Sequence, residues 1–294
     1  MRSLLLLSCL SAMLSAAHAA HGAEDIPTAA SIAWVDLKDD SSRGALARYE
    51  LLKFAPGNRN VRRAFAFPKD ANDGIYGIDV SHHNGAVNWQ AAAQSGVKFV
   101  YMKATQGDRY RDARFAENWA GAAKDGKLRR GAYHFLTSDV SGKDQARTYL
   151  ALLSAAGGLQ EQDLAPVLDL EWDFEKTASG GQVDRWSRLT PAQIEKIVLE
   201  WVETVKAATG RTPMIYTAAS WWNGRMKGVT ALAAYPQWVA DYRDRSIANG
   251  APVPVKLHPY HAWQFTDAGK FQGAGGKFDV NRLNGSDLTI LAGR

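Results

Sequence analysis

Cysteine is almost absent. Of 294 residues only Cys9 carries a thiol, which excludes a disulfide framework and a zinc site built on thiolates. Long apolar runs are missing too. The one candidate, "MRSLLLLSCLSAMLSAAHAA" (1–20), is too short and too broken by serine to cross a bilayer, so no stable membrane insertion is expected. Nor is there a dense block of one charge. The formal net charge is +5, and the basic residues are spread thinly, with "RNVRRAF" (59–65) and "KLRR" (127–130) the densest clusters. Such clusters read as solvated surface, so no nucleic-acid partner is expected, although a mild basic excess suits an anionic substrate or an acidic cell surface.

What is present is a composition for a large core: 46% hydrophobic and 22% charged residues. Two domains would fit this length, and so would a single α/β barrel of roughly 250 residues. Arg2, the leucine-rich stretch after it and the small-x-small trio Ala17-His18-Ala19 read as a signal peptide over 1–19. The protein is therefore expected to be exported, either periplasmic or secreted, and Cys9 leaves with the leader. The mature chain must be held by its core, and a monomer is expected. Residues 20–74 read as an N-terminal extension and linker that could add a strand or short helix to the outside of the main domain. Turn-rich "PKDANDG" (68–74) marks the boundary, and 75–294 forms that domain.

Within it short β-branched and aromatic runs alternate with helical patterns. The strand candidates are 76–80, 98–104, 131–135, 165–171, 213–217, 236–242, 261–266 and 277–283. Helical spacing falls at 87–96, 112–126, 141–158 and 190–210, the last opening on Thr190-Pro191 and stopping at Gly210. Only loops join the last three strands, apart from a short helix near "LTILAG". The fold class is α/β: a modified TIM-type barrel, five β/α units followed by three strands lacking helices. "WDFEKTASGGQVDRWSR" (172–188) is too long for an ordinary connection and reads as a loop over the barrel mouth. "GAGGKF" (273–278) lacks the spacing and following helix of a nucleotide loop and reads as a turn. No cofactor is expected.

Two acids interrupt the apolar run "PVLDLEW" (166–172). Residues i and i+2 of a strand share a face, with Cα atoms roughly 6.6 Å apart, so Asp169 and Glu171 project together. They fall at the C-terminal end of the fourth strand, where β/α barrels carry their active sites. Asp79 ends the first strand in "GIDVSHHNG", Asp241 ends the sixth in "WVADY", and Asp279 lies on the last in "KFDVN". Strands one and eight are neighbours in a closed barrel, which places Asp79 beside Asp279. Taken singly, an acid here could cap a helix or pair with a lysine. Together they repel one another, raise at least one pKa, and leave a carboxylic acid able to donate a proton near neutrality. Two acids flanking a cleft suit glycoside hydrolysis. The aromatics support it: Trp172, Trp221, Trp222, Trp238, Trp263, Tyr133, Tyr216 and Tyr242 sit at or just after strand ends, where rings stack on sugars. Trp89 and Trp119 read instead as helix packing.

"YGIDVSHHNGAVNW", "FVYMKATQG", "FAENWAGAAKDGKLRRGAYHF", "PVLDLEW", "TGRTPMIYT", "WVADY" and "WQFTDAGKFQGAGGKFDVN" occur in this order. Together they resemble glycoside hydrolase family 25, the Chalaropsis-type lysozymes or N-acetylmuramidases, over roughly residues 75 to 290. The resemblance implies a barrel missing its last helices and hydrolysis of the β-1,4 bond between N-acetylmuramic acid and N-acetylglucosamine in a peptidoglycan glycan strand. It implies Glu171 as general acid, with Asp169 assisting the substrate's 2-acetamido group or stabilising the cationic intermediate. Asp79 and Asp279 match the family's two other acids, and Lys103, Tyr133, Tyr216, Asp241 and Trp263 match positions lining its groove. Gln106 departs from the family's usual glutamate, and neither the 172–188 insertion nor the region before 75 belongs to the minimal pattern. Two rivals stay open: a metal-dependent hydrolase using Asp79, His82 and His83, and a catalytically inactive peptidoglycan- or chitin-binding protein.

Overall fold

Strands that face a barrel interior on one side and helices on the other bury both faces, which is why these runs are apolar throughout and not alternating. The computed structural model describes residues 26–36, 65–67, 74–124, 126–242, 260–271 and 275–294. Eight strands build the barrel: β1 (Tyr76–Val80), β2 (Val97–Gln106), β3 (Arg129–Phe135), β4 (Val167–Asp169), β5 (Met214–Ala218), β6 (Gln237–Ala240), β7 (Tyr260–Lys270) and β8 (Phe278–Leu283). Every one lies where the sequence pattern puts it. β1 to β7 pair in chain order and all parallel, and β8 closes the ring antiparallel to both β7 and β1. The reversal has a plain cause. Only residues 271–277 join β7 to β8, and a parallel return needs a crossover of a dozen residues or more.

Among the described residues the α-helices are α1 (Trp89–Gln94), α2 (Phe115–Ala123), α3 (Gly142–Ala155), α4 (Pro191–Thr209) and α5 (Ala219–Arg225). Asn88, Ser141 and Thr190 cap α1, α3 and α4, and Thr190 forms a reciprocal box with Gln193. Gly210, at φ +67°, ends α4 in the left-handed conformation that glycine adopts without strain. α5 completes the fifth unit but is only seven residues long and follows β5 directly, so the sequence pattern passes over it. Among the described residues no helix is long and apolar enough to cross a membrane.

Large rings fill the interior of the barrel below its mouth. Tyr101 lies against Trp238 with centroids 5.2 Å apart, and Trp238 meets Tyr216 edge-on at 4.7 Å. Two glycines on the strands that flank β2 make room for its rings: a Cβ on Gly77 would lie 2.5 Å from the Phe99 ring, and one on Gly131 2.2 Å from the Tyr101 ring. Gly131→Ala is therefore expected to destabilise the protein by about 1–3 kcal/mol, as overpacking does. A lower denaturant midpoint at unchanged slope would show it.

The region before the barrel adheres to it by sheet addition. Phe65–Ala66 pairs with Gly269–Lys270 of β7, and the Phe65 ring packs on Phe265 and Tyr76 at 5.0 and 5.2 Å. Val35–Asp36 pairs with a short strand, Tyr110–Arg111, that folds back from β2. The expected leader over 1–19 and most of the expected extension and linker lie outside the described residues. The 172–188 insertion is not an open loop. Phe174–Lys176 and Gln182–Asp184 form an antiparallel hairpin, followed by a short 3-10 turn, Arg185–Arg188.

Candidate active site

The C-terminal ends of the strands surround a half-open pit lined by Asp79, Tyr133, Asp169, Tyr216 and Trp238. Asp79 is on β1, and Asp279 lies directly opposite it in the β1–β8 register. Asp169 is the last residue of β4 and pairs with Tyr216 on β5. Asp79, Asp169 and Glu171 are all buried, at 5%, 5% and 3% exposure, whereas Asp279 is half-buried. Burial of several carboxylates at one place is costly unless their surroundings are polar and organised.

Around Asp79 that organisation can be followed atom by atom. The hydroxyls of Tyr216 and Tyr242 donate to Gln264 Oε1 at 2.8 and 2.5 Å, so the amide nitrogen of Gln264 faces the other way. It donates to Asp79 Oδ2 at 2.8 Å. The Trp238 indole, which can only donate, gives its N–H to Asn281 Oδ1 at 2.9 Å. Asn281 Nδ2 is thereby also turned to Asp79 Oδ2, at 2.8 Å. Two neutral donors fix one carboxylate oxygen, and the tyrosines and tryptophan fix the donors.

Glu171 lies beyond the regular part of β4. Leu136 N–H donates to the Asp169 carbonyl at 3.0 Å and Leu170 N–H to the Tyr216 carbonyl at 2.9 Å, which carries the pairing one residue further. The Glu171 carbonyl then accepts the indole N–H of Trp186 at 2.8 Å. At the next strands, Lys103 donates to Gln106 Oε1 at 2.7 Å and sits 5.0 Å from the Phe135 ring centroid. The residue that departs from the family pattern is therefore a direct partner of Lys103.

The remaining predicted residues divide. Tyr133 and Tyr216 are in the pit. Asp241 lies one residue past β6, buried at 7% exposure, and its N–H donates to the Gln264 carbonyl at 3.0 Å. Trp263 is not brought into the pit. Its indole donates to the Asp241 carbonyl at 2.8 Å, and its ring packs on Phe265, on the strand face opposite Gln264. Sequence reasoning leaves Gln264 and Asn281 out of the site, and offers Trp238 only as one of several sugar-stacking rings at strand ends. A signal exists for the first two: each is a lone amide inside an apolar strand run, where an unpartnered polar group would be costly.

His82, His83 and His134 have structural partners. His82 Nδ1 lies 2.7 Å from Asp112 Oδ2, and its ring meets His83 at 3.9 Å. Among the described residues no three His, Cys, Asp or Glu side chains are grouped to hold a metal ion. His134 bonds Thr105 and Gln145 and stacks on Trp201. Burial pushes its pKa down to about 3, against the raising effect of the Gln145 bond and with help from the Lys103 charge, which keeps the imidazole neutral in the core.

Buried acids gathered at the C-terminal mouth of a mostly parallel barrel are the arrangement that a β/α-barrel glycoside hydrolase uses. The chain belongs to the glycosyl hydrolases family 25, whose family model matches residues 78–274. It is similar to Lysozyme M1 of Streptomyces globisporus, with 33% identity over 228 residues, 76% of this chain and 72% of that protein. It is also similar to the N,O-diacetylmuramidase of Chalaropsis sp, with 30% identity over 219 residues, 72% of this chain and 95% of that one. Among solved structures, the bacterial lysozyme from Streptomyces coelicolor superposes with a TM-score of 0.63 at 35% identity, covering 74% of this chain and 96% of that one. The extension before β1, and Asp279 on β8, fall outside the matched segment.

Proposed function

We propose that the protein is a lysozyme of the N-acetylmuramidase type, a glycosidase that cuts the β-1,4 bond between N-acetylmuramic acid and N-acetylglucosamine in peptidoglycan. The observation that carries this reading is the joint placement of Asp79 and Asp169 in one pit, with Glu171 two residues on, in a chain of family 25. Glu171 protonates the glycosidic oxygen as the bond to the anomeric carbon breaks, while the substrate's own 2-acetamido oxygen attacks that carbon. Asp169 steadies the positive charge of the resulting oxazolinium. Glu171, now a carboxylate, takes a proton from water, which opens the ring and leaves N-acetylmuramic acid as the new reducing end. Adjacent acids on one strand suit this substrate-assisted route, which is not bound by the separations of two-carboxylate enzymes. Asp79 and Asp279 position the site, and Tyr133, Tyr216 and Lys103 line the groove. The enzyme acts outside the cytoplasm as a monomer, exported by the 1–19 leader, and needs no cofactor.

Mass spectrometry of fragments from purified peptidoglycan tests the bond assignment: reducing ends of N-acetylmuramic acid are expected. Release of N-acetylglucosamine ends would overturn it, and release of no ends from any wall or chitin would leave only the sugar-binding reading. Proton NMR of the first product tests the route. The β-anomer should appear first, since two displacements at the anomeric carbon restore its configuration, and an α-anomer would rule the route out.

A further inference from the structure

The 172–188 insertion is built into the strand end that carries Glu171. The Asp173 carboxylate, 1% exposed, accepts the Ser138 N–H and hydroxyl at 2.9 Å each and Arg185 Nη2 at 2.6 Å. Its backbone N–H donates to Asp184 Oδ1 at 3.1 Å, and its carbonyl accepts Arg185 N–H at 2.8 Å. Asp184 in turn takes Arg225 Nε and Nη2 from α5 at 3.1 and 2.9 Å. Arg185 also reaches Asp139 at 2.5 Å. Trp186, fully buried and edge-on to Trp221 at 5.9 Å, holds the Glu171 carbonyl. Three backbone groups between 171 and 173 thus end on residues 184–186, where the barrel ladder no longer holds the chain.

We propose that the insertion is a brace for the catalytic strand end, and that Trp186 is the positioning residue that sets the Glu171 carboxyl. This rests on Glu171 being the general acid. A side chain one residue past the last ladder bond can swing with its backbone, and a small misplacement of an acid costs much of its effect. The indole N–H is directional and buried, so removing it frees the carbonyl without removing the Asp173–Arg185 clamp.

Trp186→Phe tests this, since it keeps an aromatic ring and deletes the donor. With a peptidoglycan oligosaccharide, whose sugar leaving group needs a proton, kcat is expected to fall roughly 10- to 100-fold with KM unchanged. With a 4-nitrophenyl glycoside of N-acetylmuramic acid, nitrophenolate release in a single turnover should fall less than about threefold, because that group leaves unprotonated. Arg225→Met, which loosens Asp184 from its partly exposed side, should show the same selectivity more weakly, and it keeps the test open if Trp186→Phe does not fold. Equal losses on both substrates, or none on either, would overturn the brace. A wild type inactive on both would instead overturn the muramidase reading, and the brace with it.

Discussion

Glu171→Gln is expected to lower kcat on peptidoglycan by about 100- to 10,000-fold, the range a positioned general acid–base supplies. The substitution is nearly isosteric and replaces a group that is 3% exposed at a strand end held through its backbone carbonyl, so the fold should persist. Binding of peptidoglycan fragments should also persist, since Tyr133, Tyr216 and Trp238 are untouched. The expected result is a folded variant that binds the glycan and releases almost no reducing ends. Activity within a few-fold of wild type would remove Glu171 from the mechanism. Loss of binding together with activity would point to a structural role.

The second large effect concerns stability, at the end of the barrel remote from the pit. Arg130, at the start of β3, makes a two-pronged pair with Asp163 at 2.9 and 3.2 Å. It also donates to the Trp119 carbonyl at 2.5 Å, and its guanidinium lies 3.9 Å over the Trp119 ring. The Asp163 side chain is 1% exposed. Arg130→Met would strip the buried Asp163 carboxylate of its two-pronged partner and leave it the Gln160 N–H and the nearby Arg211 charge, which costs about 3 kcal/mol, the low end for a broken buried pair. Urea unfolding should show a midpoint lowered to match, with the slope unchanged. Replacing both partners, with Asp163→Leu added, should recover much of that loss, because two apolar groups leave no charge stranded. If the single variant unfolds like wild type, the pair contributes nothing net.

How far the sequence can be read depends on the range of the forces involved. β1 to β8 and α1 to α4 are legible because each rests on local periodicity and on caps such as Thr190 and Gly210. The neighbourhood of Asp79 and Asp279 follows from strand count alone, since a closed ring brings its first and last members together. The α5 helix is not legible, as it is only seven residues long and starts directly where β5 ends. The insertion reads as open loop because its hairpin is held by hydrogen bonds and ion pairs to Ser138, Asp139 and Arg225, residues far away in the chain. Trp263 and Trp238 look alike in sequence, and only the register of β6 and β7 shows which ring meets the pit.

By itself the sequence determined the barrel and the strand ends at which Asp79, Asp169 and Asp279 stand, because side-chain alternation and helix stops act over a few residues. Tertiary structure alone decided the rest. It placed Gln264 and Asn281 on one oxygen of Asp79, and tied Trp186 to the backbone of Glu171. Those are hydrogen bonds between distant segments, and their geometry exists only once the ring has closed.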